Sequence, residues 1–289
     1  MTRSDELKQE KSTVGFTALY TSQAWIWGGV PEAELFDSRL ARAIFLWITS
    51  VYRMARWLRP GMAPILQALL HRHTMIDRLM EQADVDQVLE LAAGLSPRGA
   101  NITGDAGVDY IEVDLPALIA AKRKLLGRSV RGREIAEREN LRFVAGDATR
   151  MTFGTILDES RRAFVIAEGL HMYLDADSQR RLWSNVASVL GRGAGGTFVF
   201  DHFQRASSER PGVVSGTVLR AMRDWQERIG FVKDRRSREE IIGELCEIGF
   251  EEVEVVCSRD VAQGWGLPHA ETDTDVTILV ARKKGNHRP

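Results

Sequence analysis

From Asp84 onward, short apolar runs alternate with stretches whose apolar positions recur at helical spacing. The runs predict strands over 86–91, 109–113, 141–145, 163–167, 196–201, 252–257 and 275–281. Continuous apolar runs of this length suit strands covered on both faces. Between them, Pro116 is suited to the first turn of a helix, where its missing N–H is no loss. That helix turns Leu118, Leu125 and Leu126 inward. A second helix runs from about Ser178 to Leu190, with Leu182, Val186, Val189 and Leu190 on one face. A third opens on a capping box, Ser237-x-x-Glu240, buries Ile241, Leu245 and Ile248, and stops at Gly249. Between the first two strands there is room for little more than one helical turn. This alternation predicts an α/β, doubly wound, mostly parallel sheet.

The chain before Asp84 has no strand alternation. Ile44, Ile48, Val51 and Ala55 fall on one helical face, widened by Phe45, Tyr52 and Trp57, and Arg59-Pro60-Gly61 ends that helix. Ile65, Leu66, Leu69, Ile76, Leu79 and Met80 mark another. Residues 1–83 therefore read as a helical N-terminal cap with an aromatic-rich loop at Trp25–Gly29, and 84–289 as the sheet domain. Two segments break the alternation. Residues 128–140 are charge-dense and read as a solvated connection. Residues 204–236 interrupt the sheet after its fifth strand, where an insertion is placed to cover a substrate.

Composition changes this picture little. With 44% hydrophobic and 27% charged residues, the 289-residue chain reads as soluble and globular. A net charge of −1 leaves no broad basic face for nucleic acid. Cys246 and Cys257, the two cysteines, read as reduced thiols. MTRSDELKQEKS lacks an apolar core for a secretory signal, and AIFLWITSVY is too short to span a bilayer. A cytoplasmic protein without membrane or nucleic-acid partners is expected.

Candidate chemistry gathers at the predicted strand ends. They carry Glu90 with Ala92-Ala93-Gly94, then Asp114, then Gly146-Asp147-Ala148, then Glu168-Gly169, then Asp201-His202. Each alone has a plain structural reading, as a tight turn or a helix cap. Polar residues at five successive strand ends are hard to explain as packing, because ligands of open α/β sheets bind there. The glycines, Gly94 and Gly99, do not make a GxGxxG, which weakens a dinucleotide reading. His71 and His73 are two apart and point to different helix faces, and no Cys/His set is spaced for zinc, so no metal is expected.

Together, ELAAGLSPRG, YIEVDLP, FVAGD, AEGLHMYL and FVFDHF resemble the class I S-adenosylmethionine-dependent methyltransferases. More narrowly they resemble the leucine carboxyl methyltransferase family and its bacterial polyketide relatives of the tetracenomycin carboxyl methyltransferase type, over residues 65–203. The resemblance implies a seven-stranded Rossmann-like sheet with the last strand antiparallel. It implies S-adenosyl-L-methionine as cofactor and S-adenosyl-L-homocysteine as product. Ala92, Ala93 and Gly94 would face the methionine part, Asp114 the ribose, and Asp147 with Ala148 the adenine. Glu168 would lie near the sulfonium and Arg72 would pair with the cofactor carboxylate. Glu90, Leu115, Gly146 and Gly169 would complete the pocket.

The implied reaction is methyl transfer to an oxygen of a small molecule such as a polyketide. A carboxylate acceptor is already ionised at neutral pH and needs no base. A hydroxyl needs one, and His202, His171 and Tyr173, which follow the fourth and fifth strands, are the candidates. Trp25, Trp27, Trp225 and Trp265 could wall such a substrate or simply pack. An NAD-dependent oxidoreductase and a non-catalytic cofactor-binding relative stay open as alternatives. A monomer or a homodimer is expected.

Overall fold

The computed structural model describes residues 3–58, 64–104, 107–202, 232, 234 and 236–286, with the side chains of 3–14 excepted. Its centre is a seven-stranded sheet: β1 Gln87–Leu91, β2 Asp109–Asp114, β3 Leu141–Ala145, β4 Ala163–Ala167, β5 Gly195–Asp201, β6 Glu252–Cys257 and β7 Thr277–Lys284. The order is β3-β2-β1-β4-β5-β7-β6, with β7 antiparallel to both neighbours. The chain winds outward from β1 through β2 to β3, then crosses back to place β4 on the other side of β1. The carboxyl ends of β1 and β4 are thus the point where the winding reverses.

Strand periodicity sorts the core into two layers. Leu89, Leu91, Ile111, Val113, Val165, Phe198 and Phe200 face α7 (Ala176–Arg192) and α8 (Arg238–Ile248). Val88, Tyr110, Phe164, Ile166 and Val199 face the other way, onto Met75, Ile76, Leu79 and Met80 of α3 (Ile65–Glu81). The local signals read from the sequence act as expected. Pro116 opens α5 (Pro116–Leu126), and Ser237 with Glu240 forms the capping box of α8. Gly249 ends α8 in the left-handed region at φ 108°. One short helix, α4 (Arg98–Ile102), fills the gap between β1 and β2.

Three expectations need correction. Trp25 and Trp27 do not lie in a loop, because α1 (Arg3–Trp27) runs through them to the turn at Gly28-Gly29. On α2 (Arg39–Leu58), Ala41 and Ile48 are buried and Ile44, Phe45, Tyr52 and Ala55 half-buried, but Val51 and Trp57 face outward. Residues 128–140 are not merely a solvated connection. They hold α6 (Val130–Ala136), capped by Ser129 and anchored by buried Ile135. The Arg59-Pro60-Gly61 break and Trp225 lie outside the described residues, as does 204–236 except Val232, Asp234 and Arg236.

A buried ion pair joins α5 to β2. Lys122 donates to the Ser96 carbonyl at 2.7 Å and pairs with the Glu112 carboxylate. Burial raises the Glu112 carboxyl to about 7, against the pull of Lys122. A Cβ at position 99 would collide with Glu112 Oε1, which explains Gly99. Removing one partner of a buried pair leaves an uncompensated charge, costing about 3–5 kcal/mol. Lys122→Met is expected to lose about 3 kcal/mol at pH 8. The loss shrinks at pH 6, because an unpaired buried Glu112 protonates in the folded state and no longer buries a bare charge. Urea midpoints at the two pH values check this, and a pH-independent loss would contradict it.

Candidate functional site

Glu90 shares the face of Val88, Glu112 and Asp114 that of Tyr110, and Asp201 that of Val199. Glu168 follows Ile166 in the same alternation. These acids therefore collect on the α3 side of the sheet, at its carboxyl edge. From α3, Arg72 reaches across with its guanidinium buried. Its Nε donates to Glu168 Oε1 at 3.0 Å and its Nη1 to Asp201 Oδ2 at 3.1 Å, so Nη2 is used in neither pair. Gly169, at φ 68°, donates its N–H to Asp201 Oδ1 at 2.6 Å. A Cβ there would press on the Arg72 guanidinium at 3.3 Å.

Arg98, from α4, is the second buried cation. It donates to Asp77 Oδ1 at 2.5 Å, Glu90 Oε1 at 2.6 Å and Glu168 Oε2 at 2.8 Å. Tyr110 donates its hydroxyl to Glu90 Oε2 at 3.0 Å. His73 Nδ1 lies 2.8 Å from Arg98 Nη2 and 3.2 Å from Glu168 Oε2. It cannot accept from a guanidinium and donate to a carboxylate at once. The shorter contact favours Nδ1 accepting from Arg98, with Nε2 facing Asp77. Burial acts to raise the Glu168 carboxyl, but Arg98 and Arg72 outweigh it and hold Glu168 well below the usual carboxylate range.

The turn after β1 is built on backbone that side chains disfavour. Ala92 and Gly94 both sit in the left-handed region, at φ 55° and 52°. For Ala92 that conformation costs about 1 kcal/mol. Asp114 braces the turn, with Oδ2 accepting from Gly94 N at 2.6 Å and Oδ1 from Leu115 N at 2.6 Å. Burial pushes the Asp114 carboxyl up, and the two N–H groups pull it down. Ala93 N donates to the Val113 carbonyl at 3.2 Å, and Gly146 N to the Asp114 carbonyl at 2.8 Å. A Cβ at Gly146 would collide with Met151 Sδ.

The structure thus joins Arg72, Glu90, Glu168 and Gly169 in one network, and Ala93, Gly94, Asp114, Leu115 and Gly146 in a second. Asp147 and Ala148 enter neither. Asp147 Oδ1 accepts from Thr149 N at 2.9 Å and Thr149 Oγ1 at 2.7 Å, a local turn, and Ala148 packs into the core. Arg98, His73 and Asp77 were not assigned to the site from sequence, and Asp201 was marked as a strand-end acid without a role. Arg98 lies inside ELAAGLSPRG and Asp201 ends a strand, so both positions were visible but their partners were not.

The three candidate bases have different surroundings. His171 is buried, stacked on Phe200 at 4.1 Å, and its Nε2 accepts the Trp183 indole N–H at 2.8 Å. Burial lowers it to about 3. Tyr173 is largely buried, donates to Thr17 Oγ1 at 3.1 Å and is raised by burial. His202 is half-buried; its backbone N–H is fixed to the Thr277 carbonyl at 3.0 Å. Its Nε2 has no hydrogen-bond partner among the described residues. Burial lowers its pKa, with Asp234 opposing. Trp25 packs against the His73 ring at 5.2 Å, Trp27 stacks on His269 at 5.7 Å, and Trp265 packs beside the α3 layer.

Open α/β sheets bind their ligands at the switch point, where this chain places a braced turn and buried acids. The chain belongs to the leucine carboxyl methyltransferase family, whose model matches residues 36–187. A proposed S-adenosyl-L-methionine-dependent methyltransferase of Parafrankia sp. is 32% identical over 195 residues, which cover 63% of this chain and 61% of that protein. Another from Mycolicibacterium paratuberculosis is 30% identical over 112 residues, or 39% of this chain and 37% of the relative. The matches thus span less than two thirds of these relatives. An O-methyltransferase family protein from Burkholderia thailandensis shares the fold, with a TM-score of 0.52 and 13% identity over 86% of this chain and 72% of that one. A protein proposed to be an O-methyltransferase from Nostoc punctiforme gives a TM-score of 0.50 at 14% identity, covering 75% and 60%. Both relatives are named as S-adenosyl-L-methionine-dependent, the cofactor that the sequence motifs imply.

His171 also ties stability to pH. It stays neutral in the fold down to about pH 3, while the unfolded chain protonates it near 6.5. Its contribution is fully present above 6.5 and is lost as pH falls through that window. His171→Gln keeps an acceptor for Trp183 but cannot titrate. Its unfolding free energy is expected to fall less steeply than the parent's between those pH values, as read by urea denaturation. Parallel curves would rule out a buried neutral histidine.

Proposed function

We propose that this chain is a cytoplasmic S-adenosyl-L-methionine-dependent O-methyltransferase acting on a small-molecule acceptor, with a carboxylate oxygen favoured over a hydroxyl. The observation that carries the reading is Arg72, held between Glu168 and Asp201 at the carboxyl edge of the sheet, where the Ala92–Gly94 turn follows the neighbouring strand. The residues fit the cofactor's charges. A guanidinium with Nη2 outside its two ion pairs suits a carboxylate. The acids in excess around it suit a ligand that also carries ammonium and sulfonium. The Asp114 oxygens each receive one N–H and keep a lone pair for a ribose hydroxyl. Small residues at 92–94 allow a ligand to approach the backbone. In this reading Asp147, half-exposed beyond β3, takes the adenine amine.

The bound cofactor supplies an electrophilic methyl group. The chain's task is to bind, align and exclude water. The helices of 1–83 and the segment 204–236 are proposed to select the acceptor, polyketide-like acids included. Base-free carboxylate methylation is supported by the environments of the candidate bases. His171 has its acceptor nitrogen occupied, and Tyr173 is held away from ionisation. His202 Nε2, without a hydrogen-bond partner among the described residues, is the reason a hydroxyl acceptor is the second reading.

Asp114→Ala is expected to weaken S-adenosyl-L-homocysteine binding at least about 10-fold, since hydrogen bonds to a charged group contribute about 1.5–3 kcal/mol. Calorimetry checks it alongside NAD, and binding of NAD alone would replace this reading with the oxidoreductase one. Mass spectrometry for a gained CH2 across acids and phenols identifies the acceptor class. With a carboxylate acceptor, His202→Ala should leave the kcat/KM profile flat between about pH 5 and 8. Loss of a limb titrating in that range would identify a hydroxyl acceptor with His202 as base.

A further inference from the structure

α2 leaves a strip of large apolar side chains outside the core. Leu40, Trp47 and Met54 recur every seven residues and are 62%, 59% and 62% exposed, with Trp57 beside them at 81%. Val51 and Leu46 extend the strip. The opposite face is satisfied: Ala41 and Ile48 are buried, and Phe45 meets Tyr20 of α1 with ring centroids 5.5 Å apart. Contiguous exposed apolar surface on a helix marks a binding face.

The charges say what kind. Arg39, Arg42, Arg53 and Arg56 border the strip, and the 20-residue helix contains no Asp or Glu. Arg42 pairs with Asp37 at 2.5 Å, whereas Arg39, Arg53 and Arg56 have no ion pair among the described residues. The whole chain carries −1, so this cationic cluster is local. A second copy of the chain seated here by a twofold axis would bring the unpaired arginines of both helices around one patch with no acid on either helix. Phosphate-bearing lipid offers both an apolar phase and the missing negative charge. Arginine buries its stem beside such a boundary and keeps its head at the phosphates, and tryptophan favours the same depth. No helix among the described residues is long and apolar enough to cross a membrane, so contact would be at the surface.

We propose that α2 is a membrane-surface docking helix. It lays Leu40, Trp47, Met54 and Trp57 into the headgroup–acyl boundary of an anionic bilayer, with Arg39, Arg53 and Arg56 against lipid phosphates. This goes beyond the sequence expectation of no membrane partner, and it is independent of the acceptor assigned to the site.

Flotation of the full chain with phosphatidylcholine vesicles, with and without phosphatidylglycerol, tests it. Three unpaired arginines lead to partitioning about 100-fold stronger onto the anionic vesicles, reversed by high salt. Combined Trp47→Ser and Trp57→Ser should reduce binding to both vesicle types. Combined Arg39→Gln, Arg53→Gln and Arg56→Gln should abolish the preference for charge. Both variants should keep the parent's thermal unfolding and S-adenosyl-L-homocysteine affinity, since none of these side chains is assigned to the cofactor. Absence of binding to anionic vesicles overturns the proposal. So does a dimer, seen by light scattering, that Trp47→Asp converts to monomer while vesicle binding is unaffected.

Discussion

Two guanidiniums buried among carboxylates are the constraint on which the site depends. Arg72 and Arg98 cannot leave water without partners that offset their desolvation. Those partners come from α3, β1, β4 and β5: Asp77, Glu90, Glu168 and Asp201. The network therefore ties the last N-terminal helix to three adjacent strands at their carboxyl ends. A hydrophobic cluster of the same volume would stabilise the fold as well or better. What the ions add is direction, since a planar fork and its acids fit in few ways. Arg72 is held in place before any ligand arrives, and Gly169 supplies the gap in which it lies.

The same logic separates the histidines. His171 and His202 both follow strand ends, three and one residues past Glu168 and Asp201 respectively. Yet one lies within the aromatic layer of Phe198, Phe200 and Trp183, and the other at the rim. Burial of His171 makes it a neutral acceptor for an indole. His202, next in the chain to the acid that holds Arg72, has no hydrogen-bond partner for Nε2 among the described residues. Residue type was the same, and both rings belong to the α7 side of the sheet; the depth of burial decided the difference.

Much of the fold was legible because its signals are local. Apolar runs bounded by small or polar residues are strands wherever both sheet faces are covered, and the observed strands begin and end within three residues of those read from the sequence. The capping box, Pro116 and Gly249 act through hydrogen bonds within a few residues, so they needed no tertiary knowledge. The α2 helix was legible as a helix but not in its orientation. Its apolar residues cover more than half its circumference, and only packing on α1 selects which are buried. Trp25 failed as a loop residue for a related reason: neighbouring Gly28 and Gly29 resemble a loop, while the helix persists to Trp27.

By itself, the sequence determined the alternating α/β order, the acids at the strand ends and the family motifs. Each depends on neighbours in the chain or on strand periodicity, which also puts Glu90, Asp114, Glu168 and Asp201 on one face. Only the tertiary structure decided which cations meet those acids. Arg72 is 96 residues from Glu168 and 129 from Asp201, and Arg98 is 70 from Glu168. Pairings across such separations follow from the crossover that sets β4 and β5 beside β1. No local pattern encodes them, because an arginine in a helix looks the same whether it ends in water or among carboxylates.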